Sequence, residues 1–295
     1  MNGAAAAQSR TPHASEHLAL LAPIPATAVG LGLALSQGVR WTAYAPNLIA
    51  MLLGAGLVLA ARRFRRETLE AWAPTLAALG ISATLLQPGM EGVTRWLSLG
   101  GLQLNASAAL APCLLLGLGA RAASARTRAL AATLTVAVVH VLQPDAGQAS
   151  ALAAGGIALL LARAPTQRFA RFSSAMALLC AAALSWLRAD PLAPVAHVER
   201  VFYLAFEQGP LWVAACAVAV AFLLVGLARP RTWFAVPLAG AAVSYNVASL
   251  LVTFVGHFPV PVFGAGFASV LGWYALLATQ TDKTPLEERA TPLEE

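Results

Sequence analysis

Charged side chains are scarce in this sequence of 295 residues. Asp, Glu, Lys and Arg together make up 11% of it, whereas hydrophobic residues make up 59% and the mean hydropathy is +0.70. A soluble protein of this size and composition could not cover its apolar surface with polar side chains. The composition therefore excludes a soluble globular enzyme and predicts an integral membrane protein.

Cysteine is also rare, and the common chemical motifs are missing from the sequence. Cys113, Cys180 and Cys216 lie in three separate apolar segments, and none belongs to a CxxC pair. Such cysteines are most simply small hydrophobic residues in helix packing. The sequence contains no metal-ligand cluster, no glycine-rich phosphate loop and no recognisable Ser/His/Asp arrangement. No cofactor is therefore indicated, a divalent cation included.

The uncharged stretches predict the membrane spans. A helix that crosses the hydrocarbon core of about 30 Å needs about 20 mostly apolar residues. The stretches without charge are 17–39, 41–61, 71–90, 96–120, 129–144, 146–162, 172–187, 208–228 and 232–281. The last is 50 residues long and is expected to hold two helices, separated near residues 256–264. The predicted fold is an all-α, polytopic bundle of about ten transmembrane helices with both termini in the cytoplasm.

Arginines alternate with acids along the chain and predict its orientation. Twelve of the 19 basic residues lie in four short stretches: 62–66, 121–128, 163–171 and 229–231. By the positive-inside rule these stretches are cytoplasmic. Most of the interior acids lie between them and are expected outside: Glu91, Asp145, Asp190, Glu199 and Glu207. We expect a flexible cytoplasmic tail at 1–17, a membrane domain at 18–279 and a disordered cytoplasmic tail at 280–295.

The first informative external segment runs from residue 87 to residue 105. Its sequence, QPGMEGVTRWLSLGGLQLN, predicts a short structured hairpin or a re-entrant turn. Trp96 is expected at the depth of the lipid headgroups and Arg95 at the water edge. An interfacial anchor made of an aromatic ring and an arginine is a sufficient explanation for both residues.

The second external segment is LQPDAGQ, residues 142–148. Pro144 is expected to end the fifth span, and Gly147 to permit a turn tight enough to start the sixth almost at once. This places Asp145 at a helix N-terminus, where a carboxylate caps free backbone N–H groups and opposes the helix dipole. A structural role is therefore sufficient to explain an aspartate at this position.

Two further segments complete a pattern that resembles a known family. They are HVERVF at 197–202 and PVPVFGAGFAS at 259–269. Together with G-x-x-R-W-L-x-L-G at 92–100 and Q-P-D-x-G at 143–147, they stand in the order seen in the SEDS family (FtsW/RodA/SpoVE). The resemblance covers about residues 40–279. It implies a peptidoglycan glycosyltransferase of the bacterial inner membrane, in cell division or cell shape, that polymerises lipid II, the undecaprenyl-pyrophosphate-linked disaccharide.

The resemblance also implies site residues and partners. Glu199 occupies the position of the family's essential aspartate, which makes it the predicted general base. Arg95 and Arg200 are the candidates for binding the pyrophosphate. The other residues predicted to bind substrate are Trp96, Asp145 and His197. Besides lipid II and membrane lipids, the partner implied is a single-span class B penicillin-binding protein, and no nucleic acid is implied.

Departures from the family pattern leave alternatives open. The acid at 199 is Glu instead of Asp, the loop from Asp190 to His197 is short, and the acid of the family's Q-P-S-E is Ala108. A divergent polymerase is one interpretation, and a non-catalytic scaffold for a penicillin-binding protein is another. A transporter of lipid-linked sugars is a third, although only His140 is ionisable deep in a predicted span.

The structural alternative for Glu199 is a first-turn acid on a helix. Its apolar residues Phe202, Tyr203 and Phe206 would then face the bundle.

Overall fold

The computed structural model describes residues 19–162, 168–228 and 235–280. These residues form a helical bundle with a single two-stranded hairpin. The helices are α1 Pro23–Ser36, α2 Ala45–Ala61, α3 Arg66–Ser82, α4 Ala106–Leu118, α5 Ala123–Leu142, α6 Ala146–Leu161, α7 Arg168–Trp186, α8 Ala196–Glu199, α9 Val201–Gln208, α10 Pro210–Leu227, α11 Val236–Leu251 and α12 Phe267–Ala278. The strands are β1 Trp96–Leu99 and β2 Leu102–Asn105.

Ten of these helices match the spans predicted from the sequence. Seven helical segments are long and apolar enough to cross a membrane, and α4, α6 and α12 are shorter apolar helices. The long last stretch holds both α11 and α12, as expected, and the link between them covers residues 252–266. The chain is therefore a multi-pass, all-α membrane protein. Because the two short helices α8 and α9 precede α10, they are not spans of their own.

Three spans, α3, α5 and α7, begin earlier than the charge pattern suggests. α3 starts at Arg66 and includes Glu70, which is buried near its beginning. Arg66 Nε lies 2.8 Å from Glu70 Oε1, and the backbone N–H of Arg121 donates to Glu70 Oε2 at 3.1 Å. The carboxylate therefore joins the start of α3 to the link between α4 and α5, and paired charges are tolerated at a helix end.

Glycines allow the helices of the bundle to approach one another closely. A Cβ added to Gly272 of α12 would lie 1.9 Å from the carbonyl oxygen of Ala108 in α4, and one at Gly54 of α2 would lie 2.3 Å from the Tyr274 ring. Small residues allow such approach where lipid supplies no hydrophobic driving force between helices. Trp273 and Tyr274 of α12 fill the centre of the bundle and are almost fully buried.

The links between helices alternate between the two ends of the bundle. The stretches 62–66 and 121–128 lie at one end, here called the arginine-rich end; Arg163, Arg229 and Arg231 lie outside the described residues, as do nearly all of the predicted tails. The opposite end, here called the site end, carries residues 83–105, 143–145, 187–209 and 252–266. That the arginine-rich end faces the cytoplasm stays a prediction.

The hairpin expected in the first external segment is confirmed. β1 and β2 pair antiparallel, with Trp96 opposite Asn105 and Leu99 opposite Leu102. Gly100 and Gly101 connect them with φ of 56° and 91°. A two-residue hairpin turn of this kind needs positive φ at both positions, which explains the Gly-Gly pair. The hairpin leads directly into α4 and lies at the site end.

Candidate functional site

Arg95 lies immediately before β1 and is buried, with 3% of its surface exposed. Its Nη2 contacts Asp190 Oδ2 at 2.6 Å and donates to the carbonyl oxygen of Pro144. Its Nε lies 3.9 Å from Asp145 Oδ2, and its guanidinium lies 5.5 Å from the centre of the Phe258 ring. The prediction that Arg95 sits at the water edge is therefore wrong, because two carboxylates and a carbonyl replace water around its charge. We call Arg95, Pro144, Asp145 and Asp190 the Arg95 clamp.

Asp145 caps α6, as predicted. Its Oδ1 accepts a hydrogen bond of 3.1 Å from the backbone N–H of Gln148. Gly147, in contrast, does not make the turn, because it already lies inside α6. A Cβ there would lie 2.7 Å from the Phe258 ring, so this glycine makes room for an aromatic side chain. The predicted turn role of Gly147 is therefore wrong, and its close packing against Phe258 explains why a small residue stands there.

A small cavity of about 20 Å³ lies beside the Arg95 clamp. Trp96, Asn105 and Gln148 contribute to its lining, together with Arg95 and Asp145. Asn105 also caps α4, since its side chain accepts a 2.9 Å hydrogen bond from the Ala108 N–H. This N-cap was not predicted from the sequence, although an Asn just before an Ala-Ser-Ala run is typical of a helix N-terminus. Trp96 is partly buried at this place, and its depth relative to lipid headgroups stays a prediction.

Glu199 ends α8 and is half-buried. Its Oε2 accepts a hydrogen bond of 2.8 Å from the backbone N–H of Val195, so the side chain folds back over its own helix start. Burial raises the pKa of the Glu199 carboxyl; the Val195 N–H and the positive charges of Arg95 and His257 lower it, and the negative charge of Asp190 raises it. Glu199 is thus within electrostatic reach of the Arg95 clamp.

His197 makes its hydrogen bonds to other segments through its backbone carbonyl group. Its carbonyl oxygen accepts hydrogen bonds from the Ala265 N–H at 3.0 Å and from the Tyr44 hydroxyl at 3.2 Å. Burial lowers the pKa of its imidazole, which favours the neutral ring. The predicted substrate contact of the His197 side chain stays a prediction.

The segment 259–266 packs directly against α8. Val260 N–H donates to the Val198 carbonyl oxygen at 2.9 Å, and a Cβ at Gly264 would lie 2.3 Å from that same oxygen. From α2, Asn47 Nδ2 donates to the Gly264 carbonyl oxygen at 2.9 Å. The structure therefore brings together two segments, 197–202 and 259–269, that are about 60 residues apart in sequence.

Arg200 is exposed and lies next to Glu199 in the chain. Its guanidinium lies over the Tyr203 ring, 5.2 Å from the ring centre. In α9, Phe202 is buried and Tyr203 partly buried, but Phe206 is 57% exposed. The expectation that Phe206 also faces the bundle is wrong, because the short helix presents only one side to its neighbours.

An apolar groove opens sideways between α1, α2 and α12. Its volume is about 730 Å³, and its lining includes Leu21, Ile24, Leu48 and Leu52, whose side chains are about half exposed or more. Thr27 also lines the groove, and its hydroxyl donates to the carbonyl oxygen of Val262 at 3.2 Å. The wall of the groove is therefore continuous with the segment that supports α8.

The described residues offer no arrangement of three or more His, Cys, Asp or Glu side chains for a metal ion. The chemistry that they offer is that of one half-buried carboxylate, one exposed arginine and a buried ionic clamp. Such a carboxylate can accept a proton near the membrane surface. Asp190 and Phe258 belong to this arrangement but are not among the site residues predicted from the sequence, because each meets Arg95 only after folding.

Comparison with known proteins identifies the fold. No protein-family model and no curated protein matches the sequence significantly. The rod shape-determining protein RodA of Thermus thermophilus is similar in structure, with 21% identity and a TM-score of 0.62 over 88% of this chain and 93% of that chain. A mutant of the same RodA gives 19% identity, a TM-score of 0.62 and coverage of 89% and 96%.

A chain of a peptidoglycan synthase complex, solved to explain the coordination of polymerization and crosslinking, is similar to the same degree. It shares 21% identity with a TM-score of 0.62 over 89% of this chain and 94% of its own. The resemblance predicted from four short segments is therefore confirmed for the fold, which is SEDS-like.

Proposed function

We propose that this chain is a SEDS-like glycosyltransferase that polymerises lipid II at the outer face of the bacterial inner membrane, in peptidoglycan synthesis for cell division or cell shape. The observation that supports this most is the place of Glu199. Glu199, to which the sequence resemblance assigns the family's essential acid, is half-buried at the site end of a SEDS-like fold, and α8, which it ends, is packed against the segment 259–266. Both segments carry the sequence resemblance, and they are in contact in the fold.

The proposed reaction needs a base and a stable leaving group. The Glu199 carboxylate accepts the proton of the acceptor sugar hydroxyl while that oxygen forms a bond to the anomeric carbon of the donor. The bond from the anomeric carbon to the phosphate oxygen breaks, and undecaprenyl pyrophosphate leaves with both electrons. Because burial raises the Glu199 pKa, its carboxylate holds a proton more tightly than an exposed one, which favours proton transfer in the transition state.

Charge near the leaving group is provided by Arg200 in this proposal. Arg200 is exposed and adjacent to Glu199, so its guanidinium is free to meet a pyrophosphate at the membrane surface. Arg95 is less suited to that role, because Asp145 and Asp190 already balance its charge. The polyprenyl chain is assigned to the apolar groove between α1, α2 and α12, whose wall is joined to the segment 259–266 through Thr27.

A second function is favoured by the same burial of Arg95. Because Asp145 and Asp190 balance the charge of Arg95, and because the Glu199 carboxylate is bound to the Val195 N–H, the site is compatible with a catalytically inactive scaffold. In either case we propose a single-span class B penicillin-binding protein as partner. A lipid-linked sugar transporter is less favoured, because the buried charges of the described residues lie near the ends of the bundle: Glu70 and Asp145 near the beginnings of helices, and Arg95 just before β1.

An experiment in the protein's own cells separates the two functions. The parent protein is replaced by the Glu199→Gln variant, and in control cells by Glu91→Gln. Gln keeps the shape of Glu but cannot take a proton, and Glu91 is an exposed acid at the same end of the bundle. If the chain is a polymerase, cells that carry Glu199→Gln lose growth and normal shape. The level of the variant protein and the amount of penicillin-binding protein that co-purifies with it stay at the parent's values. Normal growth and shape with that variant would contradict catalysis and favour the scaffold.

A further inference from the structure

The loop that leads to Glu199 is short and conformationally restricted. Only eight residues separate Asp190 from Glu199, and two of them, Pro191 and Pro194, have a fixed φ. The N–H of Val195, the residue after the second proline, donates to the Glu199 carboxylate at 2.8 Å. Any displacement of this loop therefore moves the hydrogen bond that orients the carboxylate.

The beginning of this loop is held by one strong contact. Asp190 Oδ2 lies 2.6 Å from Arg95 Nη2, and its Oδ1 accepts from the Leu192 N–H at 3.3 Å. Arg95 is almost fully buried and is itself fixed by Pro144, Asp145 and the Phe258 ring. A short ion pair with a buried arginine that has several other contacts restrains its partner more than a pair of exposed side chains does.

We propose that Asp190 is a positioning residue for Glu199: its ion pair with Arg95 fixes the loop whose Val195 amide holds the carboxylate. Arg95 then acts on the substrate through this loop and not through a contact of its own. The anchoring of the loop stands on the geometry alone. Its effect on the rate rests on the proposed function.

Electrostatics provides a second link between the two residues. The Glu199 pKa is raised by burial and by the negative charge of Asp190, and it is lowered by the Val195 N–H and the charges of Arg95 and His257. Loss of Asp190 removes one raising contribution and leaves more of the Arg95 charge to act on Glu199. This loss of charge alone would lower the Glu199 pKa. Displacement of the Val195 N–H removes a larger lowering contribution, so the anchoring role predicts a raised Glu199 pKa and a rate that falls off at a higher pH on the acid side.

The experiment measures the loop directly, without substrate. Spin labels are placed at two exposed positions of the full chain, Ala193 in the loop and Gln103 in the hairpin, after Cys113, Cys180 and Cys216 are changed to Ala. Pulsed electron resonance then gives the distance distribution for the parent, Asp190→Ala, Asp190→Asn and the control Arg188→Ala. Arg188 is exposed and lies at the start of the same loop, so its loss tests for a general effect of loop mutation.

We expect Asp190→Ala to broaden the distribution clearly, Asp190→Asn to broaden it less because the amide still accepts a hydrogen bond, and Arg188→Ala to match the parent. The fold is expected to persist, since Arg95 keeps Pro144 and Asp145 as partners. An unchanged, narrow distribution for Asp190→Ala would overturn the anchoring role.

Lipid II polymerisation by the same unlabelled proteins tests whether anchoring of the loop affects the reaction rate and its pH profile. A displacement near 1 Å lowers a rate by about 100-fold, so we expect Asp190→Ala to lose about 10- to 100-fold. Its acid limb should lie at a higher pH than the parent's, whereas a limb at lower pH is what the lost Asp190 charge alone would give and would contradict displacement of the Val195 N–H. A broadened loop with the parent's rate and pH profile would overturn the link to Glu199. A parent protein that forms no polymer contradicts the proposed function instead, and the distances still decide whether Asp190 anchors the loop.

Discussion

At the scale of single residues, the length of the Glu199 side chain matches the position of its hydrogen-bond donor. Its side chain is one methylene longer than the aspartate of the family pattern, and it uses that length to reach the Val195 N–H at 2.8 Å. A shorter acid at the same backbone position cannot keep this hydrogen bond without moving α8. Since α8 is bound to residues 260 and 265 through its own carbonyl oxygens, it has little freedom to move.

Glu199→Asp is therefore expected to reduce activity and not to restore a family-like enzyme. A carboxylate displaced by about 1 Å costs about 100-fold in rate, so initial rates of lipid II polymerisation should fall by that order. Glu91→Asp is the matched control, because Glu91 is exposed at the site end, and its rate should equal that of the parent. A parent-like or higher rate for Glu199→Asp would show that the site accepts the family geometry.

The acid side of the pH profile is set by the same residue. A general base must be ionised, and burial raises the pKa of Glu199 above its usual value. As pH falls, the rate should therefore decline at a higher pH than an exposed glutamate would give. Polymerisation rates measured from pH 4 to pH 8 test this range, which brackets the ordinary glutamate pKa of about 4.3. A decline at or below the ordinary value would exclude a buried Glu199 as the base.

At the scale of elements, the contact between α8 and the segment 259–266 holds the site together. Two backbone hydrogen bonds join them, from Val260 N–H to the Val198 carbonyl and from Ala265 N–H to the His197 carbonyl, at 2.9 Å and 3.0 Å. Gly264 lies so close to the Val198 oxygen that no side chain fits between them. The glycine is therefore required by close approach of two backbones.

Gly264→Ala should separate these two elements. Its Cβ would lie 2.3 Å from the Val198 oxygen, which a backbone can relieve only by shifting. We expect a lower unfolding temperature in detergent and a large loss of activity. Gly266→Ala is the control, since a Cβ at Gly266 meets nothing within 4 Å and its φ of −147° suits any residue. Equal unfolding temperatures and activities for the two variants would contradict the described packing.

The elements also mark what the sequence could and could not predict. The helices that span the membrane were predictable, because an apolar stretch long enough to cross lipid has few alternatives to a helix. The hairpin was predictable from its Gly-Gly turn, and the cap at Asp145 from its place after a proline. The Arg95 clamp was not, since Arg95 and Asp190 are 95 residues apart and meet only through tertiary packing.

At the scale of the whole molecule, the bundle has two chemically different ends. Arginines of residues 62–66 and 121–128 gather at one end, where Glu70 is the buried acid. Asp145, Asp190 and Glu199 lie at the other, where Arg95 is buried and pairs with the two aspartates. A polymerase of lipid II must present the second end outside the cytoplasm. The proposed function and the positive-inside rule therefore require the same orientation.

Reporter fusions test this orientation. A fusion at Arg126 should report cytoplasm, and fusions at Glu91 and Pro194 should report the outside, because Arg126 lies at the arginine-rich end and the other two lie at the site end. Expression levels of the three fusions are matched by immunoblot. Any inversion among the three would contradict both the orientation and an outward-facing Glu199.

The most direct measurement of the central claim is polymerisation of lipid II by the purified full-length chain, with and without a class B penicillin-binding protein of the same organism. The parent and Glu91→Gln should convert lipid II to glycan polymer, seen as a ladder on a gel. Glu199→Gln should lose about 100-fold or more of that rate, because loss of a general base costs this order. Polymer formation by Glu199→Gln at the parent's rate, or no polymer from the parent in either condition, would contradict the account.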